Sequence, residues 1–158
     1  MDTLHDELMI ASCLGDIEKG EVFQRWPLHI TLVPWFSLSH DQRFELDEAL
    51  RHIAERTPTF TVIGGEIAHF GPHRRQVRLL GDRALHELHG RLTKVVEHTG
   101  GQIISSAHIG EHYRPHITER DEGVEEGEEV RVHGFQLVSK IGPHDNHRKV
   151  EALYRFEG

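Results

Sequence analysis

The sequence predicts an α+β fold, a bilobal arrangement of antiparallel β structure with two main helices outside. Three observations predict it. Two segments carry apolar residues at helical spacing, most of the remaining patterned chain reads as short strands, and the triplet His-Ile-Thr occurs twice in β-prone surroundings, at His29–Thr31 and His116–Thr118.

Taken in order, Glu7–Leu14 is apolar enough for a buried strand, Gly15–Arg25 reads as a polar connection, and Leu28–Phe36 is the strand carrying the first triplet. Ser39-His40-Asp41-Gln42 has the spacing of a capping box. Behind it Leu46, Ala49, Leu50 and Ile53 recur at i, i+3, i+4 and i+7, which predicts a helix over Asp41–Arg56 stopped by Pro58. Strands are predicted at Thr59–Ile63, Glu66–Phe70 and Gln76–Leu80, divided by Gly64-Gly65 and Gly71-Pro72. A second helix is predicted from Arg83 to His98, with Leu85, Leu88, Leu92, Val95 and Val96 inward and Gly100-Gly101 closing it. Gln102–Ser105 and Tyr113–Thr118 read as strands, then an acidic hairpin, then β segments at Val130–Ile141 and Lys149–Phe156 around the turn Gly142–Asn146.

In a strand, residues two apart share a face. Each triplet therefore offers an imidazole and a hydroxyl side by side, with the isoleucine between them pointing into a core. Although the chain holds 15 His, chance supplies His-Ile-Thr only roughly 0.05 times at this composition. Two imidazoles brought together can take one proton and give another near neutral pH, and two hydroxyls can hold an anion. The triplets lie far apart in sequence, so a pseudo-twofold pair of lobes is expected to bring them together.

At 158 residues, 37% hydrophobic and 28% charged, the chain fits one domain, spanning 1–158. A net charge of −8 argues against a grip on long duplex nucleic acid. Asp121, Glu122, Glu125, Glu126, Glu128 and Glu129 concentrate much of that excess in a solvated hairpin. No apolar run is long enough for a membrane span and no leader segment is evident, so a cytoplasmic monomer is expected. Cys13, the only cysteine, sits in the apolar run Leu8–Leu14 and reads as structural.

Two His-x-Thr strands, the first followed by a helix and the second preceded by a helix and by Tyr113-Arg114-Pro115, resemble the 2H (two-histidine) phosphoesterase superfamily. Within it the chain looks most like the bacterial RNA 2',3'-cyclic phosphodiesterases, also called 2'-5' RNA ligases, over Leu4–Phe156. The resemblance implies a bilobal fold around a central groove. It matches His29 and His116 to two catalytic histidines, Thr31 and Thr118 to phosphate-binding hydroxyls, and Tyr113 to an aromatic position beside the groove, where its ring packs on a base or sugar. It implies neither a metal nor another cofactor, and a substrate that is an RNA end or a small nucleotide. There are two departures. Glu119 stands where the family has an apolar residue and is expected to weaken the packing behind His116, and Gly15–Arg25 is too short for a helix that relatives often carry.

Cations near a phosphate would assist, and Arg25, Arg74, Arg75, Arg78, Arg114 and Lys140 are the candidates, Arg78 alternating with apolar Val77 and Leu79. Three other readings compete with RNA-end hydrolysis. A metal enzyme would use His108, His112 and His116, or His86 and His89, but Gly110 and Pro115 break the helix the first set needs. A nucleotide-binding module without turnover, or an enzyme for a cyclic (oligo)nucleotide signal, would keep both triplets.

Overall fold

The computed structural model describes residues 4–105, 109–119, 123–141 and 147–157. The strands are β1 (His5–Cys13), β2 (Val22–Phe23), β3 (His29–Ser39), β4 (Phe60–Ile63), β5 (Ile67–Phe70), β6 (Arg75–Leu79), β7 (Gln102–Ile103), β8 (His116–Thr118), β9 (Glu129–Val132), β10 (Gly134–Lys140) and β11 (Arg148–Arg155). Helix α1 spans Arg43–Glu55 and α2 spans Arg83–His98. The main sheet runs β2-β11-β10-β1-β3-β8-β6-β5, with β7 also on β3, and β4 and β9 form a separate ribbon. Every strand pairing in both is antiparallel.

Both helices cover one face of the sheet. Leu46, Leu50 and Ile53 of α1 and Leu85, Leu88, Leu92 and Val96 of α2 pack on Leu8, Ile10, Ile30, Leu32, Phe36 and Ile117. Asp82 caps α2 by accepting from the Ala84 N–H at 2.7 Å. Gly100, at φ +94°, ends it in the left-handed region that glycine takes without a Cβ clash. Among the described residues no helix is long and apolar enough to cross a membrane.

The structure departs from the sequence pattern at several places; the strand expected over Tyr113–Thr118, for one, is confined to His116–Thr118. Ser39 caps a 3₁₀ turn at His40–Gln42, its Oγ accepting from the Asp41 N–H, so α1 begins only at Arg43 and the capping box does not form. The polar connection contains β2, which pairs with the outer edge of β11. The long segment expected at Val130–Ile141 breaks at His133: β9 joins the ribbon with β4, and β10 enters the main sheet. Gly134 permits that crossing, because a Cβ there would lie 2.4 Å from the Tyr154 carbonyl oxygen. The turn at 142–146 and residues Asp121 and Glu122 of the acidic hairpin lie outside the described residues. What is described of the hairpin turns at Gly127, φ +84°.

Candidate active site

The two triplets are neighbours. Strands β3 and β8 pair antiparallel with Ile30 opposite Ile117, and both isoleucines are fully buried under the helices. That register sets His29 beside Thr118 and Thr31 beside His116, all four on the sheet face opposite the isoleucines. All four are half-buried.

Each imidazole is oriented by its own strand entry. His29 Nδ1 donates to the Pro27 carbonyl at 3.0 Å, and His116 Nδ1 donates to the Arg114 carbonyl at 2.7 Å. A carbonyl oxygen only accepts, so Nδ1 carries the proton in both rings and Nε2 is the nitrogen able to gain or lose one. A proline stands in each entry, as Pro27 and as Pro115, and Pro115 restricts Arg114 to extended backbone. The same hydrogen bond, to the carbonyl two residues back, thus recurs on both sides of the ladder.

Aromatic rings flank both histidines. The Trp26 ring lies 4.3 Å from the His29 ring at 30°, and Phe70 meets His116 edge-on at 4.8 Å. From Trp26 a row continues to Phe23 at 4.9 Å and Trp35 at 6.5 Å. Two cations lie over Trp35, the Lys140 ammonium at 4.7 Å and the Arg148 guanidinium at 5.1 Å, while Lys140 also pairs with Glu7 at 2.8 Å.

Not every residue expected at the site is on its open face. Tyr113 is only 5% exposed, so its ring does not offer a surface for a base or sugar. It stacks on buried His89 at 3.9 Å and donates its hydroxyl to the Thr31 carbonyl at 2.8 Å. Burial also pushes its phenol well above the usual range, which keeps the hydroxyl a donor. Arg78 pairs opposite Ile117, on the face away from the histidines. It bonds the carbonyls of Val124 and Gly65 and pairs with Glu119 at 3.2 Å. Glu119 therefore does not weaken the packing behind His116; it is held by Arg78 and by the Gln76 amide at 2.9 Å. Arg114 lies over the Phe70 ring at 4.8 Å, beside His116. Arg25, Arg74 and Arg75 are exposed.

The histidine pairs weighed as metal ligands are differently employed. His89 is buried and bonded through both nitrogens, His86 sits edge-on to Tyr113, and His108 lies outside the described residues. Among the described residues no three His, Cys, Asp or Glu side chains are grouped to hold a metal ion. Burial pushes the Cys13 thiol up to about 12, which keeps it un-ionised and inert.

Trp26, Trp35 and Arg148 were not expected at the site, and His89 was considered only as a metal ligand. Trp35 had a sequence signal, since it shares odd-numbered parity with His29 and Thr31. Arg148 had none, and the contacts His89 makes with β3 and Tyr113 had none, because both depend on how other elements pack.

A model of the 2'-5' RNA ligase superfamily matches residues 14–119, about two thirds of the chain and both triplets. The chain belongs to that superfamily. No curated protein sequence matches it. Among solved structures, Escherichia coli LigT complexed with 3'-AMP superimposes with a TM-score of 0.67 at 16% identity, over 98% of this chain and 100% of that one. The TT0787 protein of Thermus thermophilus gives 0.64 at 19% identity, over 96% and 98%. The MHV ns2 PDE domain gives 0.55 at 16% identity, over 87% and 99%. At these identities the likeness establishes a common fold, the α+β architecture with antiparallel sheet and two helices. A further solved structure, of a phosphoesterase, superimposes with a TM-score of 0.66 at 19% identity, over 97% of this chain and 99% of that one.

Proposed function

We propose that this member of the 2'-5' RNA ligase superfamily is a metal-independent phosphodiesterase acting on 2',3'-cyclic phosphate ends or 2'-5' linkages of RNA or short nucleotides. One observation carries the reading: two imidazoles with identically anchored Nδ1 atoms stand on one sheet face, each beside the other motif's threonine.

For a cyclic phosphate, Nε2 of one histidine takes a proton from water as its oxygen bonds to phosphorus. The bond from phosphorus to one ribose oxygen breaks, and the other histidine, as imidazolium, gives that oxygen its proton. The Thr31 and Thr118 hydroxyls donate to the non-bridging oxygens as charge builds there. The cycle ends with the two imidazoles in exchanged protonation states, and proton exchange with water resets them. With a second ribose hydroxyl in place of water as the nucleophile, the same two transfers join that hydroxyl to the cyclic phosphate as the ring P–O bond breaks.

Nucleotide substrates are supported by the row of rings from Trp26 to Trp35 and the cations above it, which supply stacking surfaces and positive charge next to the reacting groups. They are also supported by E. coli LigT, which is known complexed with 3'-AMP, ATP, NADP+ and phosphate. The sheet's continuity through both triplets supports treating 1–158 as one domain. Product analysis of EDTA-treated protein, with His29→Ala as control, tests the reading on RNA bearing a 2',3'-cyclic end and on a 2'-5' oligoadenylate. Turnover that survives the chelator and vanishes in the variant is expected. Turnover restored only by added metal would overturn it, and nucleotide binding without turnover would favour a binding module.

A further inference from the structure

Strand β3 bulges beside the site. Across the β1–β3 ladder Ala11 pairs with Thr31 and Ile10 with Val33, so Leu32 is an extra residue without a partner on β1. On its other edge β3 is covered by the three-residue β8 and, further on, by β7 at Phe36. Thr31 is the last residue of β3 opposite β8, and Leu32 falls between these two pairings, so the carbonyls at the bulge are open to side-chain donors.

Two side chains donate to them. The Tyr113 hydroxyl donates to Thr31 O at 2.8 Å, and His89 Nδ1 donates to Leu32 O at 2.6 Å. His89 is itself fixed at its second nitrogen, where Nε2 accepts from the Gly110 N–H at 3.0 Å. The two rings lie parallel, 3° apart in plane with centroids 3.9 Å apart, and His86 closes the edge of the phenol at 5.4 Å. Tyr113 is three residues before His116, so the pair ties the first motif's bulge to the entry of the second.

We propose that His89 and Tyr113 are positioning residues that hold the bulged Thr31–Leu32 segment, so that the Thr31 hydroxyl stays in register with His116 for the reaction. This rests on the phosphodiesterase reading for its catalytic consequence and on the hydrogen bonds alone for its structural one. Neither side chain touches the reacting atoms; each acts through a main-chain carbonyl of β3. A displacement of about 1 Å in a reacting group can cost as much as 10²-fold in rate, which makes such a clamp consequential.

The test compares wild type with Tyr113→Phe, His89→Asn and His89→Gln in two measurements on the same samples: kcat and KM, and amide hydrogen exchange over residues 29–33. Tyr113→Phe keeps the stacked ring and removes only the donor, so it folds. It is expected to lower kcat about tenfold or more with KM changed less than about twofold, and to speed exchange over 29–33. The asparagine amide can place its NH2 near the Nδ1 position, whereas the glutamine amide reaches to the Nε2 position, where its oxygen accepts from the Gly110 N–H and its NH2 is displaced from Leu32 O. His89→Asn is therefore expected to stay nearer wild type than His89→Gln in both measurements, an order that loss of core packing would not produce. Wild-type exchange over 29–33 in Tyr113→Phe and His89→Gln overturns the proposal, whatever the rates do. If the wild-type protein turns over neither substrate while exchange responds as expected, the phosphodiesterase reading falls and the clamp stands.

Discussion

Ile30 and Ile117 face each other across the β3–β8 ladder, fully buried, and this one pairing brings together four polar side chains from distant parts of the sequence. Burial under α1 and α2 holds the pair, and strand alternation does the rest. Truncation of Ile117 to alanine is expected to cost about 2–5 kcal/mol in denaturant unfolding, with activity lost alongside stability. Ile117→Val should retain most of both.

The histidines and threonines should be separable in kinetics. Replacing either His29 or His116 by alanine is expected to lower kcat about 10²–10⁴-fold, since each removes one proton transfer. Thr31→Val or Thr118→Val should cost at most about 10²–10³-fold, the value of one donor to the developing charge. Circular dichroism of each variant checks that the sheet is intact, and equal activity in the threonine variants would remove them from the site.

Buried His89 sets a pH dependence of stability. Desolvation lowers its pKa below the ordinary 6.5, outweighing the bond to Leu32 O, and neighbouring His86 lowers it further. The unfolded chain therefore binds a proton at a pH where the folded one does not. The stabilisation from this group is present above about 6.5 and is lost as pH falls from there through the folded value. Thermal unfolding between pH 7 and 5 should show this loss in wild type, and a shallower slope in His89→Asn.

Arg78 should prove structural. Its guanidinium spans two carbonyls and a carboxylate on the sheet face away from the histidines. Arg78→Met is expected to cost about 1–3 kcal/mol for each acceptor left unsatisfied, with KM unchanged. Arg78→Lys recovers little, because a single ammonium cannot reproduce the fork. A raised KM with normal stability would contradict this assignment.

The cations over Trp35 should govern affinity rather than turnover. A Lys140→Gln, Arg148→Gln variant is expected to raise KM for an oligonucleotide roughly tenfold at low salt and to flatten the salt dependence, leaving kcat near wild type. Titrating salt in both proteins measures it.

Helix periodicity located α1 and α2 within a few residues, and the repeated triplet located the two strands that pair at the candidate site, because both signals are short-range and tied to a backbone period. Where a residue's surroundings come from distant elements, the sequence was silent. Tyr113 read as an open aromatic, yet His89, on a helix whose inward stripe is otherwise aliphatic, covers it. Glu119 looked like a fault in the second motif until Arg78 and Gln76 came to meet it from β6. Gly134 read as one residue of a continuous strand, although the close approach of Tyr154 makes it a crossing point between two sheets.

Strand β1 lies between β3, which follows it soon in the chain, and β10, which follows much later; Ser12 Oγ bonds the Gly134 carbonyl across 122 positions. Until β10 has been synthesised, one edge of a strand that is mainly apolar over Leu8–Cys13 stays open to any other strand it meets. A ribosome-bound intermediate would thus hold the first His-Ile-Thr triplet in place yet remain sticky along β1, and stop-codon variants that lose β10 should aggregate rather than accumulate as smaller folded proteins.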